Sequence, residues 1–215
     1  MAPLIARFEN PVLYPAPGDF CEVQFHGADP FVSFSVPGLA GLQVSSLVGE
    51  YNFGNIANAL TIGAYFGVPM VDAVRGILEY TPENMRSQLV EKRSNVIVLD
   101  AYNANPSSMS VAIESFATID GRKSFFLGDM LELGDHSQSE HKQIFDLCCS
   151  LGIEETTYLV GPEFCEACPQ HPYRFETMDA LLAWLDTHPI ETSFAFVKGS
   201  RGIKMERVIE HFLPA

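Results

Sequence analysis

Three short polar turns carry the residues best placed to do chemistry. They are Asp100–Asn105, Gly128–Asp129 and Lys198–Arg201, and each follows a run of apolar residues. Their carboxylate, amide, ammonium and guanidinium groups suit ligands that carry hydroxyls, phosphates or carboxylates. If the apolar runs are parallel strands of one sheet, their carboxyl ends meet at one edge. We therefore expect the three turns to form a single site.

Some polar residues of the first turn are candidates for capping the next helix, and others for binding a ligand. Asp100 ends an apolar run, where its carboxylate could accept hydrogen bonds from ribose hydroxyls or cap the next helix. Asn105 directly precedes Pro106, a favoured first residue of a helix, so Asn105 is the better cap. Asn103 is then free to recognise a ligand.

The charge balance excludes one class of partner and singles out two cations. The chain has 13 Lys and Arg against 27 Asp and Glu, a formal charge of −14, which argues against nucleic-acid binding. An anionic ligand must then be attracted by a few cations and helix ends. Lys198 and Arg201 are candidates because they flank a strand-to-helix turn; a solvated helix face is the alternative, and it explains Lys204 and Arg207 better.

Other groups with chemical potential have simpler explanations. Asp129 opens an acidic loop in which a metal ligand or general base is conceivable, whereas His141 is better explained as a packed histidine on an apolar helix face. Cys165, Cys168 and His171 could form half of a zinc site, but no second pair follows at finger-like spacing, so an ordinary loop is favoured. No metal site is therefore predicted.

Targeting and phosphate-binding signals are absent from the sequence. Five cysteines without a secretory signal indicate reduced thiols in the cytoplasm. The most apolar window, Ile56–Leu78, is too interrupted for a membrane span. No Gly-x4-Gly-Lys-Ser/Thr loop occurs, so ATP chemistry would need that loop from sequence outside these residues.

Two regions of different pattern position these turns. In the first, we predict strands near Glu22–Gly27, Phe31–Val36 and Leu42–Val48 and helices over about Asn52–Phe66 and Pro69–Tyr80. The polar segment Thr81–Gln88 follows, and we place the domain boundary there, giving domains 1–83 and 84–215.

In the second region, strands alternate with helices. The strands are Asn95–Asp100, Lys123–Asp129, Thr157–Val160 and Ser193–Val197. The helices are one opened by Pro106, then Gln138–Leu151, Met178–Asp186 and a last one that carries Met205–Phe212. This alternation predicts an α/β fold with a Rossmann-like, doubly wound, mostly parallel sheet, preceded by a partial α+β piece.

Five segments in order resemble the Mur ligases. They are GEYNFGNIANAL, NMRSQ, LDAYNANPSSM, LGDMLELG and VKGSRGIKME, and the resemblance runs from about Phe31 to the C-terminus. The turns YNANP and GDMxELG are most similar to the branch of the family that adds D-alanyl-D-alanine to UDP-N-acetylmuramoyl-tripeptide. The resemblance implies that 1–83 is the end of a central ATP-binding domain and 84–215 a C-terminal Rossmann-like domain.

The resemblance also implies an activity. Such ligases use ATP and magnesium to activate the terminal carboxylate of the tripeptide as an acyl phosphate, which the amine of the dipeptide attacks. This is a cytoplasmic step of peptidoglycan precursor synthesis. Because the phosphate-binding loop is missing, we expect the chain by itself to be inactive and to bind no cofactor tightly.

Site residues carried over from the resemblance fall into two sets. The nucleotide set places Asn55 and, less directly, Asn52 at the adenine, Arg86 at the interdomain hinge and Asp100 at the ribose. The dipeptide set, placed around the dipeptide and its carboxylate, comprises Asn103, Asn105, Lys198 and Arg201. Tyr51 stands where the family usually has histidine, so no role of that histidine is carried over.

Two other functions remain open. One is a related amide ligase of the folylpolyglutamate or cyanophycin type, and the other is a non-catalytic module that binds a nucleotide or a dipeptide. Whatever the function, the first region begins inside a β-region without partner strands, and open sheet edges favour association. We therefore expect self-association through this region.

Overall fold

The chain forms two compact units, Met1–Thr81 and Pro82–Ala215. The structure is a computed structural model that describes residues 7–92, 95–190 and 194–212. Within these residues, no helix combines the length and apolarity needed to cross a membrane.

The first unit packs two helices on a small antiparallel sheet. Its strands are β1 (Gln24–Ala28), β2 (Phe31–Ser35) and β3 (Gln43–Val48), in that order across the sheet, and its helices are α1 (Tyr51–Tyr65) and α2 (Met70–Glu79). Alternation in β2 buries Val32 and Phe34 completely against the helices, as period-2 patterning requires. The predicted strands and helices of this region are confirmed, with bounds shifted by two residues at most.

The second unit is built on a six-stranded sheet. Its strands are β4 (Gln88–Lys92), β5 (Asn95–Asp100), β6 (Lys123–Gly128), β7 (Thr157–Val160), β8 (Arg174–Phe175) and β9 (Phe194–Lys198). The order across the sheet is β4-β5-β9-β6-β7-β8, and only the β4–β5 pairing is antiparallel. The α-helices are α3 (Pro106–Ala117), α4 (Ser137–Ser150), α5 (Pro162–Ala167) and α6 (Met178–Leu185).

Helices cover both faces of this sheet. On one face, the ring of Phe116 from α3 lies 5.4 Å from that of Phe125 and 5.2 Å from that of Phe196. On the other face, Leu181 of α6 belongs to the buried cluster around Phe126. The predicted α/β class with a mostly parallel, doubly wound sheet is therefore confirmed.

Several predicted elements of this unit were wrong in number or type. Strands β4 and β8 and helix α5 were missed, because each is short and none shows an extended apolar pattern. The last helix is not an α-helix: two 3₁₀ helices, Arg201–Ile203 and Met205–His211, flank Lys204, whose left-handed φ of 61° interrupts the helix. Strand β9 is described from Phe194, so the predicted start at Ser193 lies outside the described residues.

Candidate functional site

Three adjacent strands bring the three polar turns to one edge of the sheet. Asp100 at the end of β5 is in register with Lys198 at the end of β9, and Lys198 is in register with Leu127 of β6. The prediction that these turns converge is confirmed. The contact is close: a Cβ on Gly199 would lie 2.9 Å from the Cα of Gly128, so only glycine fits there.

A buried ion pair forms the centre of this edge. Lys198 is only 2% exposed, and its Nζ lies 2.5 Å from Oδ2 of Asp100. The same ammonium donates to the backbone carbonyl of Asn103 at 3.4 Å, and Oδ1 of Asp100 accepts from the backbone N–H of Ser87 at 3.2 Å. Both charges therefore have fixed partners and directions, as burial of charged groups requires.

Two guanidiniums lie beside this pair on one aromatic ring. The guanidinium carbon of Arg86 is 4.0 Å from the centroid of the Tyr102 ring, and that of Arg201 is 5.6 Å from it. All three residues are exposed. Neither arginine forms an ion pair with a carboxylate of the described residues, so both positive charges remain available to an anion.

The two asparagines of the first turn have different partners. Asn105 caps α3: its Oδ1 accepts from the backbone N–H of Ser108 at 2.9 Å, and its own N–H donates to Oγ of Ser108 at 3.2 Å. The capping prediction is confirmed. Oδ1 of Asn103 accepts from the N–H of Ala104 at 2.9 Å, which leaves its side-chain NH₂ without a partner among the described residues. Both amides are exposed at the edge of the sheet.

A family comparison identifies this unit. The model of the Mur ligase glutamate ligase domain matches residues 85–201, which include both the sheet and its polar edge. The chain belongs to the Mur ligase family.

Two curated Mur ligases illustrate the similarity. The UDP-N-acetylmuramoyl-tripeptide–D-alanyl-D-alanine ligase of Bacillus subtilis is 30% identical over 191 residues, covering 84% of this chain and 42% of that protein. The enzyme of the same name from Treponema pallidum is 33% identical over 171 residues, covering 75% and 37%. The chain thus spans about two fifths of the length of these relatives.

Solved Mur ligase structures share the fold. MurF from Acinetobacter baumannii is 26% identical with a TM-score of 0.72, covering 89% of this chain and 44% of that one. MurF from Thermotoga maritima in complex with ADP is 20% identical with a TM-score of 0.76, covering 98% and 50%. At that identity, the second comparison shows the common fold alone.

In this Mur ligase chain, Asp129 has a structural task. It is fully buried, and its two carboxylate oxygens accept from the backbone N–H groups of Glu163 and Phe164, each at 2.9 Å, at the start of α5. Burial raises the pKa of this carboxyl, although the two backbone hydrogen bonds act in the opposite direction. Asp129 therefore anchors α5 to the end of β6.

Hydrogen bonds connect the loop after Asp129 to α4 and to the third turn. Nε2 of His141 accepts from the N–H of Met130 at 3.0 Å, and Nδ1 lies 2.7 Å from the carbonyl oxygen of Ser137, which fits a neutral ring. The prediction of a packed histidine is confirmed. Oγ of Ser200, which the sequence did not single out, accepts from the N–H of Leu131 at 2.9 Å and so joins the second and third turns.

The carried-over asparagines of the first unit bind each other. Asn52 is buried and donates through Nδ2 to the carbonyl of Val48 at 2.8 Å, while its Oδ1 accepts from Nδ2 of Asn55 at 2.9 Å. Asn55 is exposed at the start of α1. The contact orients its amide, and adenine recognition by these residues stays a prediction.

The cysteines form no reactive centre in the described part of this chain. All five are free thiols, and the described residues contain no group of three or more His, Cys, Asp or Glu arranged to hold a metal ion. Burial raises the pKa of Cys148 to about 12 and that of Cys168 to about 11, so both are neutral near pH 7. Nε2 of His171 contacts the carbonyl oxygen of Thr157 at 2.9 Å instead.

Proposed function

We propose that this chain is the amine-substrate domain of an ATP-dependent ligase that adds D-alanyl-D-alanine to UDP-N-acetylmuramoyl-tripeptide in the cytoplasm. One observation carries the proposal: the buried Lys198–Asp100 pair lies beside two guanidiniums that have no carboxylate partner. Such an edge suits a small substrate with an anionic end, and the two curated relatives are named for this reaction.

In this proposal the edge binds the dipeptide by its carboxylate. Arg201 offers a fork of N–H donors that matches a carboxylate, and Lys198 adds a fixed positive charge. The side-chain amides of Asn103 and Asn105 are exposed at the same edge and can donate to the peptide group. Binding there would orient the free amine toward the activated carboxylate of the tripeptide.

One residue of the nucleotide set, Asp100, belongs to the buried ion pair with Lys198. Asp100, carried over as the ribose contact, is the ion-pair partner of Lys198, carried over as a dipeptide contact. Arg86 is linked to the dipeptide side in turn, since it shares the Tyr102 ring with Arg201. We infer that Asp100 and Arg86 of the nucleotide set meet the dipeptide set at this edge.

The residues of this chain do not fit a magnesium site or the loop that cradles the triphosphate of ATP. The 215 residues contain no Gly-x4-Gly-Lys-Ser/Thr loop, and the described ranges bring no metal-ligand set together. We therefore propose that other parts of the enzyme hold the ATP phosphates and magnesium. ATP would supply the phosphoryl group of the acyl phosphate, and this chain would hold the amine that attacks it.

The test is to complete the enzyme from a relative. The chain would be joined to the part of the Bacillus subtilis ligase outside its aligned region, and phosphate release would be measured with the tripeptide substrate, ATP and magnesium. We expect turnover that requires D-alanyl-D-alanine, and none from the chain alone. Turnover with L-glutamate instead would favour a folylpolyglutamate-type ligase, and dipeptide binding without turnover would favour a binding module.

A variant pair makes this test specific. Arg201→Lys keeps the charge but removes the fork, so the KM for the dipeptide should rise about tenfold with a smaller change in kcat. Arg207→Lys is the matched control, because Arg207 pairs with Asp179 at 2.7 Å on the surface. Equal effects of the two substitutions would contradict the assignment of Arg201.

A further inference from the structure

The ring of Tyr102 connects two parts of the chain that are far apart in sequence. Arg86 precedes β4 and Arg201 follows β9, yet their guanidinium carbons lie 4.0 and 5.6 Å from the centroid of the same ring. An aromatic face attracts such cations through its quadrupole. None of the sequence motifs assigned a role to Tyr102, which is 37% exposed at the edge of the sheet.

The backbone around the ring is fixed on both sides. The N–H of Tyr102 donates to the carbonyl of Met85 at 3.2 Å, and the N–H of Ser87 donates to Oδ1 of Asp100 at 3.2 Å. Asn84, Met85 and Ser87 have left-handed φ angles of 60°, 59° and 50°, which residues other than glycine rarely adopt. A strained segment held by such contacts indicates that the position of Arg86 is specified.

Two positive charges on one ring need compensation from elsewhere. Arg86 and Arg201 lie within about one Debye length of each other at 0.1 M ionic strength, so their repulsion is only partly screened. No described carboxylate forms an ion pair with either of them, although the chain carries a formal charge of −14. Of the acids at this edge, Asp100 is already paired with Lys198, and Asp129 accepts from the backbone N–H groups of Glu163 and Phe164.

We propose that Tyr102 is a positioning residue that holds the guanidiniums of Arg86 and Arg201 toward one anionic group of a ligand. The group is a phosphate or a carboxylate, since both match the guanidinium fork. The proposal rests on the proposed function for the identity of the substrate, but the arrangement itself is independent of turnover. Without the ring, both arginines would sample many rotamers and bind the anion more weakly.

The arrangement can be tested directly on the unmodified chain and its variants. In ¹⁵N-edited spectra, the Nε–Hε signals of Arg86 and Arg201, assigned with Arg86→Lys and Arg201→Lys, should both be shifted by the ring. Tyr102→Leu should return both signals to their unshifted positions, and Tyr102→Phe should leave both shifted. If Tyr102→Leu moves only one signal or neither, the shared-ring arrangement is wrong.

Anion binding gives the second readout, with inorganic pyrophosphate as the probe. We expect Tyr102→Leu to raise the Kd at least about fivefold, and Tyr102→Phe to stay within about twofold because the ring face remains. Tyr80→Leu, at an exposed tyrosine of the first unit, is the matched control. Arg86→Ala should weaken binding less in the Tyr102→Leu background than in the unaltered chain.

Each failure has a distinct meaning. Equal loss in Tyr102→Phe and Tyr102→Leu would assign the effect to the hydroxyl and overturn the proposal, as would unchanged binding in Tyr102→Leu. Absence of any pyrophosphate binding by the unaltered chain would overturn the assignment of the arginines to an anion. None of these results depends on dipeptide-dependent phosphate release, which tests the proposed function separately.

Discussion

Lys198 and Asp100 end two neighbouring parallel strands, and their charged groups meet at 2.5 Å although 98 positions separate them in the chain. The register of β5 with β9 makes this pairing, because it places the two residues directly opposite each other. Lys198 is almost completely buried, whereas the Asp100 side chain keeps 15% of its exposure. The strand register therefore fixes the position of both charged groups at the candidate site.

Breaking the pair should destabilise the second unit. Lys198→Met leaves a partly buried carboxylate without its partner, and we expect a loss of about 3 kcal/mol in the free energy of unfolding, measured by urea titration. The double variant Asp100→Asn/Lys198→Met should lose clearly less than the sum of the single losses, because no unpaired charge remains. Strictly additive losses would show that the two groups do not interact.

The cap formed by Asn105 should stabilise α3. Asn105→Ala removes the acceptor for the N–H of Ser108 and should cost about 1 kcal/mol in unfolding free energy, whereas Asn105→Asp keeps an acceptor and should cost little. Asn103→Ala is the control at the neighbouring amide, which does not cap the helix. A larger loss for Asn103→Ala than for Asn105→Ala would contradict the capping assignment.

The buried carboxyl of Asp129 should make stability depend on pH. Burial raises the pKa of Asp129 above the ordinary 3.8. At a pH between 3.8 and the native pKa, Asp129 is therefore protonated in the native chain but ionised in the unfolded chain. Stability from this group is therefore present at low pH and is lost as the pH rises through the native pKa. Relative to Asp129→Asn, the unaltered chain should gain unfolding free energy between about pH 7 and about pH 4.

The measurement is a series of urea titrations across that range. Asp120→Asn, which removes an exposed acid instead, controls for the loss of one negative charge. If the advantage of the unaltered chain over Asp129→Asn shrank toward acid, the direction assigned to Asp129 would be wrong.

Self-association should depend on an exposed aromatic cluster of the first unit. Phe20, Tyr65 and Phe66 are 55%, 60% and 77% exposed, and the Tyr65 ring packs edge to face on each of the other two. We expect a concentration-dependent shift to dimers or larger species in size-exclusion chromatography with light scattering, because exposed apolar patches favour association. Phe66→Ser should reduce it, whereas Val111→Ser in the second unit should not. A monomer at every concentration would refute self-association.

Much of the edge could be predicted because local pattern and topology agree there. Strands β5 and β6 each contain an apolar run that leads into a polar turn, and parallel strands place such ends together. The cap at Asn105 followed from its position before Pro106. These features depend on a few neighbouring residues and one general rule of sheet topology.

The rest depends on contacts between distant residues. The insertion of β9 between β5 and β6 decides that Lys198 meets Asp100, and nothing local to either residue encodes that order. Likewise, the role of Tyr102 follows only when Arg86 and Arg201 are brought to it. Strand β8 has two residues, too few for any periodicity to show.

The close contact between the second and third turns predicts that a side chain at Gly199 destabilises the second unit. A methyl group on Gly199 would lie 2.8 Å from Cγ of Met205 and 2.9 Å from the Cα of Gly128, and that backbone has little room to move. Gly199→Ala should therefore cost about 1–3 kcal/mol in unfolding free energy.

Gly54 in α1 is the matched control for this substitution. A Cβ there meets nothing within 4 Å, so Gly54→Ala should stabilise the first unit by about 0.5–1 kcal/mol through the lower backbone entropy of the unfolded chain. Thermal unfolding of both variants decides the matter, because the two shifts have opposite signs. A neutral or stabilising Gly199→Ala would mean that the edge of the sheet is looser than these contacts require.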